Sequence, residues 1–145
     1  MAASLHRRTH HLRAIYFDAS VPTTTRGATT QGALRWNNIN GAARFVFEAG
    51  TSPTAWNVAT PPPPRIVGIM HANIDGATRI LADARSWVYS ADPSITYSSI
   101  VRYGTSETWP NTTSGAIPAG SFDRFGVSTH ELGHVLGLGH IGQGS

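Results

Sequence analysis

The stretch HELGHVLGLGH, His130–His140, holds three of the seven histidines in the chain. On an α-helix, His130 and His134 lie one turn apart on the same face. At that separation both ring nitrogens can reach one metal ion at about 2.0–2.1 Å. Glu131 is rotated from His130 by about 100° around the axis, so it is too far round to be a natural third ligand. It can still reach a water bound to the metal, which is the position of a general base.

A catalytic zinc needs a third protein ligand, and the same helix cannot supply it, because Leu138 occupies the place one further turn along. Gly137 allows the chain to leave the helix with a positive φ, and Gly139 relieves crowding as the backbone turns back. His140 is then expected to arrive from outside the helix. Gly133, inside the predicted helix, costs about 1 kcal/mol relative to alanine, which indicates that another part of the chain approaches closely there.

The composition is that of one globular domain with one hydrophobic core. The chain has 145 residues, of which 40% are hydrophobic, and a net charge of +3. Cysteine is absent, which excludes disulfides, thiolate catalysis and Cys-ligated zinc. No run approaches the 18 or so apolar residues of a membrane span, so we expect no membrane partner.

Residues 1–11 are predicted to be a basic flexible tail, followed by the folded domain over residues 12–145. The tail contains His6, His10 and His11, which could bind a metal, but a solvated flexible segment is favoured. A nucleic-acid-binding arm is disfavoured because no aromatic residues are interleaved with the basic ones.

Runs rich in β-branched and aromatic residues predict four strands. They are LRAIYFD (12–18), ARFVFEAG (43–50), RIVGIMH (65–71) and SITYSSIVRY (94–103). In the second run, Phe45 and Phe47 alternate with Val46 and Glu48, as in a half-buried strand. The segment ATRILADARSWVY (77–89) fits either a helix or an edge strand.

Two helices are predicted. The first covers ALRWNN (33–38), with Thr29 and Thr30 as N-caps, after a Thr/Gly-rich loop over residues 20–32. Asn40-Gly41 is expected to end it.

The second predicted helix runs from about Asp123 to Leu136, with Ser121 or Asp123 as N-cap and Gly137 as terminator. A long loop, 104–121, precedes it. Because most strands come first and the histidine-bearing helix comes last, we predict an α+β fold rather than a doubly wound sheet.

HELGHVLGLGH is similar to H-E-x-x-H-x-x-G-x-x-H, the signature of the metzincin zinc proteases, and most resembles its matrixin form. WNNINGAARFVF (36–47) resembles the first helix of that family running into its second strand. SITYSSIVRY followed by Trp109 resembles the strand and loop before the active-site helix. LADA (81–84) resembles the edge strand against which these proteases lay their substrate. The similarity covers most of the chain from residue 12 to the third histidine.

This resemblance implies a zincin-like α+β fold, in which a twisted mixed sheet supports an active-site helix carrying HExxH. The implied activity is that of a zinc metalloendopeptidase, with His130, His134 and His140 as ligands of one catalytic zinc. Glu131 is implied to be the general base that takes a proton from the zinc-activated water and delivers it to the leaving amine.

Further expectations follow from the same resemblance. A protein or peptide substrate would lie extended along the edge strand, paired through its backbone. We expect a secreted monomer, with the extracellular matrix as a setting for its substrates. Calcium is a further candidate cofactor, but no ligands for it can be identified in the sequence.

The sequence departs from the family pattern in three places. The methionine turn should follow the third histidine, but only Ile141–Ser145 remain there, and Met1 and Met70 lie upstream. We therefore predict a chain truncated before that turn, with the C-terminal subdomain missing. No histidine lies between His71 and His130, so the second, structural zinc site of matrixins cannot be completed in the usual way, and His71 is expected to have a surface role. No cysteine is present to act as a zymogen plug.

Three other functions stay open. The histidines could fill a closed structural zinc site in a non-catalytic binding module. The chain could be an inactive fragment of a protease. The same metal chemistry could also hydrolyse a non-peptide bond.

Overall fold

The computed structural model describes residues 12–39, 44–47, 50–75, 80–112 and 116–139. The predicted tail (1–11) and His140 lie outside these ranges. The elements follow one another as β1 (Arg13–Phe17), α1 (Thr23–Asn37), β2 (Phe45–Phe47), β3 (Ile66–Ala72), β4 (Ala82–Val88), β5 (Thr96–Gly104) and α2 (Arg124–Val135). Within the described ranges, no helix has the length and apolar character that a membrane crossing requires.

The strands form one five-stranded mixed sheet in the order β2-β1-β3-β5-β4. Strands β2, β1, β3 and β5 are parallel to their neighbours, and β4 pairs antiparallel with β5 at the edge. The ambiguous segment 77–89 therefore contains an edge strand, not a helix. The predicted α+β class and the four predicted strands are confirmed.

One face of the sheet packs against both helices and forms the core. The strand register aligns Phe17 with Ile69 and Ile69 with Val101, so these side chains form a layer across three strands. All three are buried, and Leu132 and Val135 of α2 pack on the same cluster with no exposed surface. Each such side chain stabilises the fold by about 1.5–3 kcal/mol when buried. The core therefore holds α2 on the sheet.

Helix α1 begins at Thr23, well before the predicted start at Ala33, and its N-cap is Pro22 rather than Thr29 or Thr30. The prediction of a loop over residues 20–32 is wrong from residue 23 onward. The buried residues of α1 are small and recur every three or four positions: Thr25, Ala28, Thr29, Gly32 and Ala33. Such spacing follows one face of a helix. Threonine and glycine are poor helix formers, but here they provide a flat face for another helix.

Helices α1 and α2 approach each other closely at two glycines. A Cβ on Gly32 would lie 2.8 Å from the Cβ of Ser128 and 3.0 Å from the backbone nitrogen of Thr129. A Cβ on Gly133 would lie 2.9 Å from the ring of Trp36. The indole of Trp36 also donates a hydrogen bond of 2.8 Å to the carbonyl of Thr129. The close approach predicted at Gly133 is confirmed, and its partner is Trp36.

Asn37, the last residue of α1, ties this helix to β2. Its side-chain amide donates to the carbonyl of Phe45 at 2.8 Å and accepts from the Phe45 amide at 2.8 Å. Phe45 is buried, as predicted, whereas Phe47 is 37% exposed. The predicted burial of Phe47 is wrong because β2 is a short strand at the edge of the sheet.

The first residue of α2, Arg124, is completely buried. Its Nη1 donates to Nε2 of His71 at 2.6 Å, and its Nε donates to the hydroxyl of Thr29 at 2.8 Å. The guanidinium carbon lies 3.6 Å from the centroid of the Tyr103 ring, a cation–π contact. Nη2 has no hydrogen-bond partner among the described residues. Burial lowers the pKa of Arg124 to about 10, so the side chain stays cationic at neutral pH.

His71 is half-buried against this guanidinium, so the expected surface role is wrong. The pKa of His71 is lowered to about 4, mainly by desolvation and also by the charge of Arg124, while Asp18 opposes the shift. At neutral pH the ring is therefore uncharged, and its Nε2 accepts the hydrogen bond from Arg124. This contact joins the end of β3 to the start of α2.

Replacing Gly32 by alanine is expected to destabilise the fold. Alanine favours the helical state by about 1 kcal/mol, but the added methyl group would overpack the contact with α2, which costs about 1–3 kcal/mol. We expect a lower midpoint and a lower free energy of unfolding in urea. Gln31→Ala, on the exposed face of the same helix, is the control and should change neither by much. A more stable Gly32→Ala variant would contradict the close helix contact.

The low pKa of His71 predicts that folding becomes less favourable as the pH falls from about 6.5 towards 4. In that window the unfolded chain binds a proton at His71 that the folded chain does not, so the free energy of unfolding decreases. His71→Gln keeps a hydrogen-bond acceptor for Arg124 but does not titrate. Urea unfolding of metal-free protein at pH 7 and pH 5 should show a smaller loss of stability in this variant than in the wild type. Equal losses would contradict a half-buried His71 that is uncharged at neutral pH.

Candidate metal centre

Helix α2 carries His130, Glu131 and His134, as predicted. The Nε2 atoms of the two histidines lie 3.0 Å apart, and their rings are perpendicular with centroids separated by 4.6 Å. Two nitrogens bound to one tetrahedral zinc at about 2.0–2.1 Å would lie about 3.3 Å apart. The two imidazoles therefore fit a shared metal ion.

The predicted third ligand, His140, falls outside the described residues, so the structure does not test whether it joins the other two. Within the described part of the chain, no group of three or more candidate metal-binding side chains occurs. The pair on α2 is the part of the predicted tripod that the described residues bring together.

The turn after α2 orients the ring of His134. Gly137 has a φ of +96°, which confirms it as the helix terminator. Leu138 donates to the carbonyl of Gly133 at 3.0 Å and Gly137 donates to that of His134 at 2.9 Å, which is a Schellman motif. This turn brings the carbonyl oxygen of Leu138 to 2.6 Å from Nδ1 of His134. A proton on Nδ1 leaves the lone pair on Nε2, which is the arrangement a metal-binding histidine needs.

Glu131 lies between the two histidines in sequence and is only 7% exposed. Desolvation raises the pKa of its carboxyl group, the nearby His134 opposes that shift, and Asp83 adds to it. A carboxylate held in such surroundings binds a proton more strongly than one in water. Its environment therefore suits a group that accepts and releases a proton.

Two cavities meet at this carboxylate. One, of about 570 Å³, opens beside His134, and the other, of about 510 Å³, opens beside His130. Ala82 of β4 and Glu131 line both of them. The candidate site is thus a groove between the edge strand and the histidine-bearing face of α2.

Sequence reasoning missed two features near this groove. Asp83 of β4 forms an ion pair with Arg102 of β5, with Nε donating to Oδ1 at 2.8 Å, and this contact raises the pKa of Arg102. The two residues are cross-strand partners. The contact of the Leu138 carbonyl with the ring of His134 was missed as well. No local pattern marks either feature, because both depend on how the chain folds back on itself.

One of the two residues predicted as the N-cap of α2 is confirmed. Asp123 is the N-cap residue, but its side chain makes no capping hydrogen bond to the helix. Its carboxylate instead lies against Gly126, at a place where any Cβ would overlap it. Asp123 and Gly126 both line the cavity beside His130.

Comparison with known proteins gives one result that bears on this site. The family model for matrixins matches residues 69–145, which is more than half of the chain. The matched stretch begins within β3 and includes β4, β5, α2 and the whole of the histidine motif. The region resembling the first helix and second strand of the family, residues 36–47, lies outside it. No match was found among curated proteins. On the strength of the family match, this chain belongs to the matrixin family.

Proposed function

We propose that this matrixin is a zinc-dependent endopeptidase with a zincin-like active site. One observation carries the proposal: two imidazole Nε2 atoms converge at 3.0 Å beside a buried carboxylate, at the point where two cavities meet an edge strand. In this proposal His130, His134 and His140 hold the zinc, and Glu131 is the catalytic base.

Zinc, when bound, supplies Lewis-acid chemistry, polarising a carbonyl group and lowering the pKa of water to about 7. Glu131 accepts a proton from the attacking water and returns it to the leaving amine. The carbonyl of Leu138 holds the ring of His134 in one orientation and one tautomer. The burial of Glu131 keeps bulk water away from the proton that it carries.

The substrate is proposed to be an extended protein or peptide segment that adds to the free edge of β4. Among the described strands, β4 pairs with β5 alone, so its other side presents backbone groups for β-augmentation. The small side chains of Ala82 and Ala84 leave the groove beside this edge open. We propose a secreted monomer that acts outside the cell, without a nucleic-acid or membrane partner.

Glu131→Gln is expected to keep zinc and lose proteolysis. The amide has nearly the same shape but cannot take up the proton, and general acid–base catalysis contributes about 10²–10⁴-fold. Zinc content by elemental analysis should be unchanged while kcat/KM on a peptide substrate falls by about that factor.

The matched control is Asp92→Asn, which also removes one negative charge but lies in the turn after β4 and lines neither cavity. It should leave kcat/KM unchanged. Full activity of Glu131→Gln would remove this residue from its proposed role. Zinc binding without any proteolysis by the unmodified chain would favour the non-catalytic module.

Loss of an outer hydrogen-bond partner of a metal ligand weakens metal binding by up to about 100-fold. Loss of a ligand itself should weaken it more, so His134→Ala is expected to reduce zinc affinity by more than about 100-fold. Competition with a chromophoric chelator measures this affinity. His71→Gln removes a histidine that lies elsewhere on the sheet and should leave zinc affinity unaltered. If both variants bind zinc equally well, His134 is not a ligand.

A further inference from the structure

We infer that this site prefers peptides with a lysine or arginine side chain close to the scissile bond, and that Asp123 selects that side chain. The inference rests on the proposed function, because it names the substrate class of the same groove. It depends on a difference between the two cavities that meet at Glu131.

The cavity beside His130 has the shape and chemistry of a pocket for a long basic side chain. Its volume of about 510 Å³ falls within the range of ordinary ligand pockets, about 300–1,000 Å³. Ile80, Leu81 and Val127 give it apolar walls, and Asp123 adds a carboxylate. Lysine and arginine combine an aliphatic stem with a charged end. The stem can pack against the apolar walls while the charged end contacts the carboxylate.

The carboxylate of Asp123 is available to such a ligand. The side chain is exposed, and it has no hydrogen bond or ion pair with any residue in the described part of the chain. It does not cap α2, because it is displaced onto Gly126, where the missing Cβ leaves room for it. Among the described residues, no cation therefore neutralises the negative charge that this carboxylate holds at the cavity.

The cavity beside His134 differs in this respect. Its wall also includes an aspartate, Asp83, but that carboxylate is paired with Arg102 through two hydrogen bonds. An ion pair satisfied within the sheet attracts a ligand cation much less than a lone carboxylate does. Selection for a basic side chain is thus expected on one side of the scissile bond and not on the other.

The test uses the zinc-loaded protein and a set of peptides. Lysine, arginine, norleucine or glutamate is placed in turn at each position on either side of the cleaved bond. Norleucine matches the lysine stem but carries no charge. At one position, kcat/KM should be about two- to fivefold higher for lysine and arginine than for norleucine at low salt. The preference should decrease as salt is added, because salt screens an exposed charge.

Variants of Asp123 identify the residue responsible. Asn is also a good N-cap residue, so Asp123→Asn removes the charge while suiting the start of α2. This variant should bring the lysine-to-norleucine ratio close to one, and Asp123→Lys should shift the preference to glutamate. Asp92→Asn is the matched charge control and should keep the wild-type ratio.

Equal cleavage of lysine and norleucine peptides by the wild type would overturn the inference, as would an unchanged preference in Asp123→Asn. Either result leaves the proposed peptidase function in place. If no peptide is cleaved, the proposed function fails. Equilibrium binding of the same peptides, measured by fluorescence anisotropy, then decides the inference: a lysine preference lost in Asp123→Asn supports it, and equal binding overturns it.

Discussion

The contact between the two helices determines where the histidine-bearing face of α2 lies. At Gly32 and Gly133 there is no room for a methyl group, because α2 at Ser128 lies against Gly32 and the ring of Trp36 lies against Gly133. The hydrogen bond from Trp36 to the carbonyl of Thr129 also fixes their register. Since the same helix carries His130 on its exposed side, a shift in this contact would move the metal-binding face relative to the edge strand.

Helix α2 also carries two ionisable groups whose burial disfavours their charged forms. Arg124 is a cation buried at the end of the helix where the macrodipole disfavours positive charge, and among the described residues it is compensated by a ring face and neutral hydrogen-bond partners. Glu131 lies about two turns further along the helix, where burial desolvates it. Buried groups with shifted pKa values concentrate at functional sites. Here the sheet contacts of Arg124 anchor the helix, while Glu131 faces the groove.

The groove has two unlike halves because one β-strand borders both. Ala82 and Glu131 line each cavity, and the cavities extend from this pair towards opposite ends of the edge strand. On the side of His134 the wall aspartate is neutralised across the sheet by Arg102. On the side of His130, no residue in the described ranges neutralises the carboxylate of Asp123. A chain laid along β4 would therefore meet different chemistry on either side of the proposed metal.

The sequence by itself determined the features that depend on neighbouring residues: the four-residue spacing of His130 and His134, the stop at Gly137, and the strands Ile66–Ala72 and Thr96–Gly104. Periodicity and turn chemistry are local, so they can be recognised without knowing the fold. Only the tertiary structure decided that Thr23–Asn37 is helical throughout, because a face of small polar residues favours a helix only when another helix packs against it. The pairing of His71 with Arg124 was likewise decided only by the tertiary structure. Contacts between distant residues, which no local pattern encodes, supply the free energy for both.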